Sequence, residues 1–187
     1  MHPRSFFMSS TNQRYTPLQI ALHWFTLLLF VALYASVLAH ESFGRDDPMR
    51  ANLMRLHMSL GILSAMVLVV RLAAKFTGPR LAPEPGPAWM QKIAQLGHLG
   101  LYVLMFGLPI TGMLFTTLSG RPPAFFGLPL PALLPENKEL GGAIKEVHEV
   151  LATLGYFLVG LHAAAALYHH HVLKDGVLAR MLPGRRA

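Results

Sequence analysis

The chain has 187 residues, enough for one domain. Its residues are 53% hydrophobic and only 13% charged, whereas a soluble domain carries about 25% charged residues. The absence of cysteine excludes disulfides, thiolate metal sites and thiol nucleophiles. A net charge of +7 can indicate nucleic-acid binding, but here the basic residues lie at the ends of apolar segments, which favours a membrane protein and no nucleic-acid partner.

Four apolar segments, each near the roughly 20 residues that span a bilayer core, predict an all-α fold of four transmembrane helices. They cover residues 17–39, 52–76, 90–118 and 144–172. Pro17 suits a first helical turn, and Pro109 predicts a kink in the third helix. A tight proline-rich connection precedes the third helix, and a longer loop with an apolar, proline-rich middle follows it. We expect residues 14–187 to form one domain, after a disordered tail over residues 1–13 that lacks the features of a signal peptide.

The charged residues predict the orientation of the helices. Ten of the 16 Lys and Arg residues lie on the side where the first helix begins, whereas seven of the nine acidic residues lie on the other side. The positive-inside rule places the basic side in the cytoplasm. We therefore predict a multi-pass protein of the bacterial inner membrane with both termini cytoplasmic.

The histidines predict paired metal ligands at two depths of the bilayer. His148 and His162 are 14 residues apart, about 1400° of helix rotation and about 21 Å of rise, so both point the same way. His57 lies at the outer level with His148, and His23 lies at the inner level with His162. Two such pairs suit two haems stacked across a bilayer. Bis-histidine ligation leaves no open site at iron, which favours one-electron transfer, whereas zinc usually needs three or four ligands at one point.

Each histidine taken singly also has a simpler interpretation, in which it binds no metal. A lone intramembrane histidine can be a helix–helix hydrogen-bond donor rather than a ligand. The agreement of four histidines in depth and face favours ligation. By contrast, His40 is about 100° away from the face of His23 and is predicted to lie in the outer loop.

Four motifs resemble the bacterial cytochrome b561 family. They are RYTPLQIALHW, LHMSLGI, LGHLGLYVLMFGLPITG and KEVHEVLATLGYFLVGLHAAAALYHH, and the likeness covers residues 14–183. The family is similar in architecture to the cytochrome b subunits of formate dehydrogenases and nickel–iron hydrogenases. The tail before Arg14 and the third consecutive histidine, His171, depart from the family pattern.

The resemblance is strongest to the superoxide-oxidising members of that family, and it implies a function. Superoxide would be oxidised to dioxygen at the periplasmic face, and two haem b groups would pass the electrons to ubiquinone. His57 and His148 match the outer haem ligands, and His23 and His162 match the inner ones. His98, His169 and His170 also match family histidines.

Other residues have candidate roles in that function. His98 and His169 could hydrogen-bond a quinone carbonyl and relay a proton, although His169, His170 and His171 could equally be interfacial. Arg71 could pair a haem propionate, and Lys75 more simply snorkels to lipid headgroups. Superoxide could be attracted by a local group of basic residues, and the candidates are Arg50, Arg55, Arg121 and Lys145.

Two other classes of function are compatible with the sequence. The chain could be the membrane anchor and electron-transfer subunit of a dehydrogenase or hydrogenase. Its short extramembrane loops offer little docking surface, so we expect no obligatory protein partner. It could also be a haem-free helical bundle, such as a small transporter, which would have no visible absorbance.

Overall fold

The computed structural model describes residues 14–79, 81, 86–132 and 134–184, so the predicted tail over residues 1–13 lies outside the described part. It contains four long helices, which we number α1 (Pro17–Glu41), α2 (Pro48–Thr77), α3 (Ala88–Leu118) and α4 (Lys138–Tyr168). All four are long and apolar enough to cross a membrane. The predicted four-helix transmembrane fold is confirmed. We call the end of the bundle where α1 begins and α4 ends the terminal end, and the opposite end the hairpin end.

Three of the four helices begin where a polar side chain satisfies free backbone N–H groups, whereas α3 follows Pro87 and has no side-chain cap among the described residues. Thr16 and Gln19 form a reciprocal capping box before Pro17, and Asn137 accepts a hydrogen bond from Leu140 N at 3.0 Å. The Asp47 side chain likewise accepts a hydrogen bond from Met49 N at the start of α2. The predicted starts of α2 and α4 were therefore wrong by four and six residues, because their first turns are polar and fall outside an apolar segment.

The bundle consists of two helix pairs, α1 with α2 and α3 with α4, with α2 also packing against α3. Tyr34 bridges the two pairs. Its hydroxyl donates a hydrogen bond to Ala152 O in α4 at 2.8 Å, and its ring lies 4.0 Å from that of Tyr156 between centroids. Gly155 faces the Tyr34 hydroxyl. The bridge depends on the missing side chain at residue 155.

A short β-hairpin follows α3, and the sequence did not predict it. Strand β1 (Ala124–Phe125) pairs with antiparallel strand β2 (Leu128–Pro129). Phe126 and Gly127 form the turn with positive φ angles of 46° and 88°, the backbone of tight hairpin turns. Ser59 of α2 holds the hairpin, because its hydroxyl oxygen accepts a hydrogen bond from Phe126 N at 3.0 Å.

The chain after α4 folds back across the terminal end of the bundle. One π-helical turn (His169–Leu173) extends α4, and Lys174 follows in the left-handed conformation with φ of 52°. We call residues 174–184 the C-terminal strap. Trp24 Nε1 donates to Met181 O at 2.7 Å, and the Arg14 guanidinium donates to Leu182 O. These contacts hold the strap against the start of α1.

We predict that Gly155→Ala destabilises the bundle. The added Cβ would collide with the Tyr34 hydroxyl, so the hydrogen bond to Ala152 must lengthen or break, at a cost of about 1–3 kcal/mol. Thermal unfolding in detergent, followed by far-ultraviolet circular dichroism, should show a lower midpoint. Gly160→Ala is the matched control, because nothing lies within 4 Å of its added Cβ. Equal midpoints for the two variants would contradict the proposed bridge.

Candidate functional site

A cavity of about 530 Å³ lies between the helices at the hairpin end. All four helices contribute to its wall, and both His57 and His148 line it. This volume lies within the range of about 300–1,000 Å³ that is usual for cofactor sites. Most of the lining is apolar, and the two histidines approach each other across it, from α2 and α4.

The hydrogen bonds of His57 determine which ring nitrogen is free. Its Nδ1 lies 3.1 Å from Leu33 O. A carbonyl oxygen only accepts, so Nδ1 must carry the hydrogen. Ser36 donates its own hydroxyl hydrogen to the same carbonyl at 2.7 Å, which leaves its oxygen as a second acceptor 3.3 Å from Nδ1. The neutral ring therefore has a free lone pair on Nε2, and an imidazole in this form can bind a metal.

His148 has the same tautomer as His57, and here a hydroxyl group fixes it. Its Nδ1 lies 3.0 Å from Thr111 Oγ1. The Thr111 hydroxyl donates to Gly107 O at 2.7 Å, so its oxygen accepts from His148. Again Nδ1 carries the hydrogen, and Nε2 is the free ligand atom. A Cβ at Gly112 would lie only 3.3 Å from His148 Cε1, so this glycine gives the ring its room.

The spacing of these two rings fits a metal ion between them. Their centroids are 6.5 Å apart. A metal bound to two opposed imidazole nitrogens at about 2 Å puts the ring centroids roughly 6 Å apart. The donor set, two neutral imidazoles within an apolar cavity, also suits haem iron. His57 and His148 would therefore fit as the residues that hold a haem, by the distance between their rings, by their tautomers and by the volume of the cavity.

A second group of histidines lies at the terminal end. The His23 and His162 ring centroids are 6.2 Å apart, close to the spacing of the first pair. His162 lies 14 residues beyond His148 on one continuous helix, about 21 Å further along its axis. His98 of α3 joins this group, with its ring centroid 5.5 Å from that of His162. The structure thus brings together the histidines that the sequence paired, and adds His98.

Arg71 contacts this second group directly. Its guanidinium donates to His23 Nδ1 at 2.8 Å. Because guanidinium can only donate, Nδ1 here accepts, and a neutral His23 carries its hydrogen on Nε2. His23 therefore has the opposite tautomer to His57 and His148. One helical turn away, Lys75 Nζ lies 4.7 Å from the centroid of the Tyr102 ring, a cation–π contact.

The two candidate quinone residues lie in different surroundings. His98 lies beside His162, as described above. His169 instead pairs with Asp175, with 2.5 Å between Nδ1 and Oδ2. Within the described part of the chain, no hydrogen bond or ring contact joins His98 to His169. The sequence did not single out Asp175, because its carboxylate reaches His169 only through the fold of the C-terminal strap.

The four candidate basic residues separate into two groups. Arg50 and Lys145 line the cavity at the hairpin end, whereas Arg55 and Arg121 do not. Lys145 is ion-paired with Glu149. Arg50 donates to the carbonyl oxygens of His40 and Phe43, at 3.1 and 2.9 Å. Arg55 Nη1 donates a hydrogen bond to Asn52 Oδ1 at 3.1 Å.

Comparisons with known proteins agree with this architecture. The sequence profile described as "Prokaryotic cytochrome b561" matches residues 14–184. "Cytochrome b561 homolog 1" of Escherichia coli (strain K12) is 35% identical over 175 residues, which cover 92% of this chain and 99% of that protein. "Probable superoxide oxidase CybB" of Yersinia pestis is 33% identical over 94% of this chain and 99% of its own. "Cytochrome b561 homolog 2" of Escherichia coli (strain K12) is 34% identical over 94% of this chain and 95% of its own.

The chain belongs to the prokaryotic cytochrome b561 family. It is therefore a multi-pass bacterial membrane protein of an oxidoreductase family, and the family implies that it binds haem b. Several side chains and backbone groups that orient the histidines were missed by sequence reasoning, namely Leu33, Ser36, Thr111 and Asp175. A threonine or serine inside an apolar helix is a weak signal, because it usually bonds its own backbone.

Proposed function

We propose that the protein is a superoxide:ubiquinone oxidoreductase with two haem b groups. His57 and His148 would hold one haem at the hairpin end, and His23 and His162 would hold the other at the terminal end. The observation that supports this most directly is the near-equal spacing of the two histidine pairs, 6.5 and 6.2 Å between ring centroids. When held by these four histidines, two haem groups would supply one-electron transfer.

The hairpin end is our candidate for superoxide oxidation. Superoxide is a small anion, and an electron can pass from it to a haem edge without a bond to iron. Arg50 and Lys145 lie in the cavity wall together with the carboxylates of Glu41 and Glu149, so attraction of an anion there would come from the local placement of the two cations rather than from a net positive charge. The name of the Yersinia pestis relative, a probable superoxide oxidase, supports superoxide as the donor for this chain.

The terminal end is our candidate for quinone reduction. Ubiquinone takes up two electrons and two protons, so it needs proton donors as well as a nearby haem. His98 lies beside the second histidine pair, and His169 begins the turn that follows α4, about 10 Å beyond His162 along the helix axis. Both remain candidates for hydrogen bonding to the quinone.

Arg71 is our candidate for binding a haem propionate. Ligation through Nε2 requires the hydrogen of His23 to be on Nδ1, so Arg71 must then release that nitrogen. A carboxylate is the partner that a guanidinium prefers. In that arrangement the Arg71 guanidinium would bond the propionate instead of His23, and the hydrogen on His23 Nδ1 would need an acceptor of its own.

The orientation follows from the basic residues. The terminal end carries the larger share of Lys and Arg, so we place it in the cytoplasm and the hairpin end in the periplasm. This orientation exposes the proposed superoxide side to the periplasm. It also directs electrons towards the cytoplasmic side of the membrane.

Replacing one histidine of each pair should remove one haem at a time. We expect His148→Ala and His162→Ala each to lower the haem-to-protein ratio from two to about one, because a haem bound by two axial histidines loses half of its iron ligation. The ratio is measured by pyridine haemochrome absorbance against protein concentration. His171→Ala is the control and should keep the full ratio, since it lies outside both pairs. Unchanged ratios in both ligand variants would rule out the assignment.

Mixing the oxidised protein with a superoxide flux tests the activity. We expect rapid appearance of the reduced b-haem bands, because the outer haem would accept the electron directly. Superoxide dismutase should abolish the signal, and added ubiquinone should discharge it. Bands that respond only to dithionite would instead favour the membrane-anchor subunit of a dehydrogenase or hydrogenase.

Lys145→Gln should slow the superoxide-driven reduction at low ionic strength. The residue lies in the cavity wall, and focused positive charge raises association rates by roughly ten-fold or more. Salt screens this attraction, so wild type and variant should converge as the ionic strength rises. Stopped-flow absorbance measures both rates. Arg55→Gln, which changes an equal charge outside the cavity, should have little effect, and equal effects of the two variants would contradict local attraction.

A further inference from the structure

The terminal end contains an imidazole–carboxylate pair outside the two haem-binding pairs. His169 and Asp175 are 2.5 Å apart between Nδ1 and Oδ2. Only about a fifth of each side chain is exposed, 20% for His169 and 22% for Asp175. An ionisable pair this sheltered, at the end of a membrane helix, is costly to keep and is often functional.

The local backbone is shaped to bring the two residues together. The single π-helical turn begins at His169, and such turns are frequent at functional sites. Lys174 then takes the left-handed conformation, which is strained for a residue with a side chain. Asp175 N donates back to His169 O at 3.2 Å, and Asp175 Oδ1 accepts from Val177 N at 3.1 Å. Asp175 Oδ1 therefore bonds the backbone that follows the turn, and Oδ2 of the same carboxylate bonds the His169 imidazole.

The C-terminal strap connects this pair to the second histidine group. Beyond Asp175 it runs to Met181, whose carbonyl accepts from Trp24 Nε1. Trp24 follows His23 directly, and their rings are 5.6 Å apart between centroids. The pair therefore lies at the same end of the bundle as the proposed inner haem and on the segment that covers that end.

We propose that His169 and Asp175 form the proton-donating pair for quinone reduction, with His169 hydrogen-bonding the quinone carbonyl and Asp175 as its positioning residue. This inference rests on the proposed function and adds Asp175 to it. With Nδ1 bonded to the carboxylate, the orientation of the His169 ring is fixed, and Nε2 is the nitrogen left to exchange a proton with the quinone. A carboxylate so placed also compensates the charge that an imidazole carries when it is doubly protonated.

The reaction balances in electrons and protons. Two superoxide anions each give one electron and become dioxygen. The quinone gains two electrons and two protons, both of its carbonyl oxygens become hydroxyl groups, and quinol forms. His169 delivers one proton to one carbonyl oxygen and is reprotonated from the cytoplasmic water, and the other carbonyl oxygen takes its proton from that water.

Other ionisable groups lie near enough to influence the pair. Tyr168 precedes His169, with 6.4 Å between the ring centroids. Lys174 precedes Asp175, and Arg180 belongs to the same strap. Arg14 and Tyr15 contact the strap from the start of α1. A pH profile must therefore be compared between matched variants rather than interpreted alone.

The test isolates the quinone step from the superoxide step. The full-length protein is reduced with stoichiometric dithionite and mixed with a short-chain, water-soluble ubiquinone, while the reduced haem bands are followed by stopped-flow absorbance. General acid catalysis contributes roughly 10²–10⁴-fold, so we expect His169→Gln to slow the discharge by about a hundredfold and Asp175→Asn by at least about tenfold. Asp175→Glu keeps a carboxylate and should recover most of the rate.

Two further measurements separate proton donation from a structural role. Asp175→Asn should alter the pH profile and the solvent deuterium isotope effect of the discharge, while the rate of haem reduction by superoxide stays unchanged. Arg14→Gln weakens the strap without touching the pair, and Asp46→Asn removes an acid at the hairpin end. Both should discharge at nearly the wild-type rate, and Asp46→Asn should also keep the wild-type pH profile.

The outcomes distinguish this inference from the proposed function. Wild-type discharge rates in Asp175→Asn, or an equal loss in Arg14→Gln, would overturn the proton-donating pair. Failure of superoxide to reduce the wild-type haems would overturn the proposed donor. In that case a discharge by quinone that still depends on Asp175 would support the pair independently.

Discussion

A histidine inside a membrane bundle must have its ring N–H satisfied by the protein, because the hydrocarbon core offers no water. At the hairpin end this constraint is met by Leu33 O for His57 and by Thr111 Oγ1 for His148. Each acceptor fixes the hydrogen on Nδ1, so Nε2 is the free ligand atom in both of these cavity-lining rings. The requirement to satisfy a polar group thereby also prepares two metal ligands before any cofactor arrives.

The arrangement of the helices leaves a gap between the two prepared histidine ligands. The bundle separates into the α1–α2 and α3–α4 pairs, so ligands on α2 and α4 face each other across a gap rather than packing in contact. Tyr34 crosses the gap and bonds Ala152, which holds the pairs at a defined separation. A gap that is bridged but not closed suits a large planar cofactor. The terminal end lacks this preorganisation at His23, where Arg71 occupies Nδ1.

Most of the fold could be predicted from the sequence. A bilayer demands long apolar helices, so the hydropathy of the chain identified all four, and the class of fold followed. The polar first turns of α2 and α4, the β-hairpin held by Ser59 and the C-terminal strap were not predicted. These elements depend on capping side chains, a left-handed turn and contacts between distant segments, none of which leaves a periodic pattern.

For the candidate site, the sequence by itself determined which histidines share a face and a depth, because helix geometry relates residue spacing to angle and rise. His148 and His162 could be placed in this way, the depths of His57 and His23 along their own helices supplied the partners, and the likeness of the motifs to a known family matched the same two pairs. Only the tertiary structure decided the tautomers of His57 and His148, the contact of His98 with His162 and the pairing of His169 with Asp175. Hydrogen bonds between separate segments depend on distances of a few tenths of an ångström, and residue spacing does not contain that information.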